Sequence, residues 1–162
     1  MGSNIKDSEK DNPWIVLDYE VLMFLGTSHV RENLQGGNGP NTQIIRNSLV
    51  ESSLLHIRIL ADIFLDRCKY SDDIGRNKLN INFEEGKLSE KIKVLADKYG
   101  NSRDENSNCW IINKRLAHPT IHRSDSYNYA KVFNSLETPL KDLIKCVYAL
   151  KNRKVPFPFY SD

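Results

Sequence analysis

Between Cys109 and Ser124 the chain carries five potentially cationic side chains, Lys114, Arg115, His118, His122 and Arg123, and no acid. Such a set suits binding of an anion and, through the imidazoles, proton transfer near neutral pH. Lys114 and His118 are four residues apart, the spacing that places two side chains on one face of an α-helix, and Arg115 lies beside them. Pro119 disfavours helical geometry at His118. The helix is therefore expected to end close to Ala117, with its dipole stabilising an imidazolium at His118. His118 and His122 have a metal-like spacing, but Pro119 removes the helix that would align them, so neither a metal site nor a cofactor is expected.

The same helix has an apolar arc of Cys109, Trp110, Ile112, Leu116 and Ala117, with Asn113 at its centre. A buried amide left unpaired costs about 1–3 kcal/mol, so Asn113 is expected to hydrogen-bond to His56 or Ser52 of an earlier helix. Each of these features also has a plain structural reading. A histidine on an apolar face is more often a hydrogen-bonded core residue than a catalyst. An Asn113–His56 pair would fix helix register, and Lys and Arg at a helix C-terminus are favoured by the dipole alone. Glu51, Arg58 and Asp62 share a second face of the earlier helix and read as a surface ion-pair ladder. The chain has no Gly-rich phosphate loop, no G-x-S-x-G and no close carboxylate pair suited to hydrolysis.

The elements that must position these groups are helical. Asn12 and Pro13 supply a cap and a first-turn proline for a helix over 13–33. Its first half is apolar on nearly every side, which requires burial all round, by its own fold or by a partner. A second helix is predicted over 41–67, with Ile45, Leu49, Ile59, Leu60, Ile63 and Phe64 as its core stripe and Ser52 and His56 near the middle of that arc. Residues 68–87 read as a loop with a short extended piece at 79–83. A short amphipathic helix over 90–99 ends at Gly100, and the Asn113 helix follows. The last helix, over 127–151, has the cleanest period: Tyr129, Val132, Phe133, Leu136, Leu140, Leu143, Ile144 and Val147. Pro139 does not shift that stripe, which predicts a kink rather than a break. The expected fold is an all-α up-down four-helix bundle with one additional short helix. Residues 1–12 form a flexible terminus, 13–154 the single bundle domain, and 155–162 an aromatic tail expected to pack back on the bundle.

A chain of 162 residues with 40% hydrophobic and 27% charged side chains fits one soluble globular domain. The net charge of +2 argues against constitutive binding to nucleic acid or membrane by overall field, leaving only a local patch. No apolar run reaches membrane-spanning length. Cys68, Cys109 and Cys146 are odd in number and lack C-x-x-C spacing, so they read as reduced thiols in a cytoplasmic protein. The all-round apolar first helix predicts a homodimer with that helix or its neighbour at the interface.

Two segments carry a family resemblance. Arg46-Asn47-Ser48-Leu49-Val50-Glu51-Ser52-Ser53-Leu54-Leu55-His56-Ile57-Arg58 and Asn113-Lys114-Arg115-Leu116-Ala117-His118-Pro119-Thr120 resemble the HEPN-like helical bundles of bacteria and archaea. That resemblance implies a four-to-five-helix bundle, often dimeric, and in many members a metal-independent ribonuclease of toxin–antitoxin or defence systems. The family motif is an Arg, four to six residues, then a His near a helix C-terminus. His118 matches the His; the Arg position falls on Ile111, Ile112 or Asn113, so Lys114 or Arg115 must substitute. On the resemblance, His118 serves as general base or acid at a ribose 2′-OH or 5′-oxygen, and Lys114 or Arg115 stabilises the phosphorane. Asn113, Glu51 and His56 orient them, and Arg115, His122 and Arg123 bind the RNA. An antitoxin or nucleotidyltransferase is the implied partner. The alternative reading is a non-catalytic helical interaction module acting as a homodimer or complex subunit.

Overall fold

The computed structural model describes residues 12–34, 39–84, 86–117 and 128–157. Among them the secondary structure is entirely helical. Helix α1, Pro13–Asn33, begins as the sequence dictates: Asn12 accepts the Trp14 amide at 3.0 Å through its side chain, and Pro13 occupies the first turn. Leu17, Val21, Phe24 and Leu25 face the core, together with Glu20 and Ser28. Ile15, Tyr19 and Leu22 stay outside, at 52%, 54% and 41% exposure, so the helix is apolar on two opposite faces and the bundle covers one.

Helix α2, Pro40–Phe64, packs along α1. Glu20 meets His56, while Val16, one turn earlier in α1, lines a cavity with Ile59 and Ile63, so the two helices run antiparallel. The expected stripe of α2 is corrected here. Ile45 is 49% exposed, and Leu49 and Ile59 are half-buried. The first half of α2 buries no residue, and the buried face of the second half is Ser53, Leu54, His56, Ile57, Leu60, Ala61, Ile63 and Phe64. A stripe fitted to the whole helix averages a segment that packs with one that does not. The helix also stops at Phe64 rather than 67. Asp66 adopts a left-handed backbone (φ 57°), and the Leu65 amide closes the last turn on the Ala61 carbonyl.

Where an extended piece was expected at 79–83, a 3₁₀ turn, Arg76–Leu79, is followed by Asn80 in the left-handed region. Leu79 and Phe83 are nonetheless buried, Phe83 against Phe64 with ring centroids 6.4 Å apart, so the alternating apolar pattern marks an irregular segment pinned to the core. Helix α3, Gly86–Tyr99, starts earlier than its amphipathic period suggested and ends at Gly100, whose φ of 74° fits only glycine comfortably. Helix α4, Asn108–Ile112, is capped by Ser107 and passes into a π-helical turn, Asn113–Ala117. Helix α5, Ala130–Leu150, runs unbroken through Pro139 and buries its whole predicted stripe apart from the half-buried Tyr129.

Helix α5 packs on α3 and lies along α1, where the Tyr148 hydroxyl donates to Asp18 at 2.7 Å and Arg31 pairs with Glu137. Burial raises the Glu137 pKa against the opposing pull of Arg31 and Lys141. Phe157 lies edge-on to His29, at 5.8 Å between ring centroids, while the rest of the aromatic tail, 158–162, lies outside the described residues. No helix is long and apolar enough to cross a membrane among the described residues.

Candidate functional site

The helix that bears the motif does not continue as an α-helix. After Ile112 it widens into the π turn Asn113–Ala117. In a π-helix the hydrogen bonds run from i to i+5, which widens the turn and shifts the angular phase of every residue that follows. The four-residue spacing that joined Lys114 to His118 rests on α geometry, which has ended one residue before Asn113. Lys114 is half-buried on this turn. His118, His122 and Arg123, and the side chain of Arg115, lie outside the described residues.

Asn113 departs from expectation in its partner. It is half-buried, and its amide nitrogen donates to Cys109 Sγ of its own helix at 3.5 Å. Neither His56 nor Ser52 reaches it, and its Oδ1 is buried with no hydrogen-bond partner. The phase assigned to Asn113 assumed a regular α-helix, and the π turn begins at that residue.

His56 points the other way, into the seam between α1 and α2. Its Nδ1 donates to Glu20 Oε2 at 2.6 Å, and the side chains of the pair are 6% and 9% exposed. The Tyr19 ring packs edge-on to the imidazole at 6.1 Å. His56 is thus the hydrogen-bonded core residue of the plain reading and does not orient the motif helix. Glu20 went unnoticed in the sequence. The signal was available: a carboxylate on the arc of Leu17, Val21 and Phe24 must find a buried partner, and His56 is the polar group on the facing helix.

Glu51 and Ser52 are placed differently. With Ser48, Leu55 and Arg58 they line one side of a cavity of about 340 Å³, whose other wall is Ile112 and Leu116. The two segments that carry the family resemblance, separated in sequence by residues 59–112, therefore meet around one opening. The cavity holds a carboxylate, a guanidinium and two hydroxyls over apolar walls, a set able to bind a polar ligand edge and an anionic group.

Arg58 faces Asp62 with Nε 3.8 Å from Oδ2, both about one-third exposed. That is an ion pair beyond hydrogen-bond reach. Burial raises the Asp62 pKa despite the opposing charges of Arg58, Arg67 and Lys69. The ladder read from sequence is therefore partly desolvated. No protein-family model matches this chain, and no match to it is found among curated proteins or among solved structures.

Proposed function

We propose that this chain is a HEPN-like up-down four-helix bundle with one additional short helix, which binds or cleaves RNA without a metal in defence or toxin–antitoxin biology. One observation carries the reading: the two resembling segments share a cavity, at Glu51, Ser52 and Leu116. The motif helix also changes to a π turn where its polar residues stand. Turns of this kind are frequent at functional sites. In this reading His118 exchanges the proton of a ribose 2′-OH or of the 5′-oxygen. Lys114 or Arg115 stabilises charge on the phosphorane oxygens. Glu51 and Asn113 orient the pair, while Arg115, His122 and Arg123 hold the strand. His56 maintains the α1–α2 seam beneath them. The products are a 2′,3′-cyclic phosphate and a 5′-hydroxyl.

The test is cleavage of labelled RNA by wild-type protein and by His118→Ala, with and without EDTA. Cleavage insensitive to EDTA and abolished by His118→Ala, at unchanged melting temperature, is the expected result. Cleavage that survives His118→Ala sinks the assignment.

A second reading, a non-catalytic helical module working as a homodimer or complex subunit, is favoured by the outer face of α1. Ile15, Tyr19 and Leu22 recur at helical spacing there and remain exposed. Wild-type protein that associates but neither binds nor cleaves RNA decides for this reading.

A further inference from the structure

One turn beyond the motif cavity, α2 borders a second and larger one, of about 630 Å³, and Arg58 lines both. Its apolar wall is Val16, Ile59, Ile63 and Ile74. Its polar groups have poor partners within the protein. The Asp62 carboxylate accepts no hydrogen bond, and its nearest cation is Arg58 at 3.8 Å. Arg67, half-buried, donates only to Cys109 Sγ, at 3.6 Å, and lies 5.1 Å over the ring of Tyr99. Behind them the Tyr99 hydroxyl is buried with the Cys109 thiol as its neighbour, and burial, with the Asp62 charge nearby, raises its pKa. The Asp62 carboxylate and the Arg67 guanidinium thus line the cavity partly desolvated and with hydrogen-bonding capacity to spare, which a polar ligand edge would use.

The arrangement selects the ligand's chemistry. Asp73 is already occupied by the backbone amides of Lys69 and Tyr70, at 2.9 Å each, and Asp72 is exposed at the rim. A simple anion would meet the Asp62 carboxylate, and a simple cation would meet Arg58 and Arg67. A flat heterocycle that offers N–H donors beside an acceptor satisfies both. Guanine does so, because its N1–H and N2–H face a carboxylate while O6 and N7 accept from a guanidinium. Adenine and cytosine lack a ring N–H on that edge, and uracil flanks its single one with carbonyls.

We infer that this cavity is a guanine-binding subsite, read by Asp62 and Arg67, for an RNA strand lying along α2. The inference rests on the RNA reading above and extends it. From Ser52 in the motif cavity to Asp62 is ten residues, about 15 Å of helix, so one strand can span both openings.

The probe is 5′-GMP titrated into the ¹⁵N-labelled full chain, with 5′-AMP and 5′-CMP as comparators. Saturable shifts at Ile59, Asp62 and Arg67 to Ile74, with GMP bound at least about tenfold tighter than AMP, are expected. Asp62→Asn should erase the preference; should that variant fail to fold, the wild-type map decides alone. Equal binding of all three nucleotides, or shifts confined to the π turn, overturns the subsite. A parallel arm compares binding and cleavage of oligoribonucleotides with and without guanine. RNA bound without guanine preference refutes the subsite and leaves the RNA reading standing. GMP bound at the cavity by a protein that neither binds nor cleaves RNA does the reverse.

Discussion

Replacing His56 with alanine tests a buried polar contact between two helices. The Glu20 side chain is 9% exposed, and its Oε2 accepts from His56 Nδ1 at 2.6 Å. Truncating the imidazole leaves a largely desolvated carboxylate between two helices without its partner, and breaking a buried pair from one side costs about 3–5 kcal/mol. The edge contact with Tyr19 is lost as well. For a domain of this length each kcal/mol moves the midpoint by about 2–4 °C, so His56→Ala should lower Tm by roughly 6–20 °C. The double variant Glu20→Leu/His56→Leu removes the desolvation cost together with the bond, and should recover most of that loss. Circular dichroism at neutral pH, by heat and by urea, reads both. A single-variant cost below about 1 kcal/mol, or a double variant no more stable than the single, refutes the reasoning. RNA binding per folded molecule should stay unchanged in His56→Ala, because His56 faces α1 and not the motif cavity.

Asp62 has a folded pKa raised above its ordinary 3.8 by burial, so its contribution to stability is greatest when protonated and falls as pH rises through the raised value. Asp62→Asn lacks that loss, and its Tm relative to wild type should climb by a few degrees between pH 4 and pH 7; a flat difference contradicts the desolvation. Gly100→Ala places a Cβ 2.7 Å from the Ser107 Cβ at a φ of 74°, and should cost upwards of about 1 kcal/mol in urea denaturation. Ser107→Ala removes the cap that accepts the Trp110 amide at 3.1 Å, and should cost about 1–2 kcal/mol. Light scattering at micromolar concentration should give twice 18.7 kDa, falling toward one copy in Leu22→Lys; a wild-type monomer counts against the homodimer.

The α5 stripe was legible because every turn of that helix packs, so one period describes it all. The α2 stripe was misread because its first half protrudes and leaves Ile45 exposed, which a fixed angle per residue does not reveal. Glu51 and Ser52 were singled out and do border the cavity beside Leu116, whereas Asn113 was assigned a partner on α2 and has only Cys109. A π turn inserts one residue into the helical register, and nothing in the hydropathy of Asn113–Ala117 marks it.

By itself the sequence determined the all-helical class, the start of α1 at its Asn-Pro cap and the end of α3 at Gly100, since capping and glycine conformation are local chemistry. It also determined that the first half of α1 is apolar on both sides. Tertiary structure alone decided which side is covered, that Glu20 and His56 close on each other, and that Arg58, Asp62 and Arg67 gather at one cavity. Those outcomes depend on contacts between residues far apart in the chain, and helical periodicity constrains the face a side chain occupies without naming what meets it.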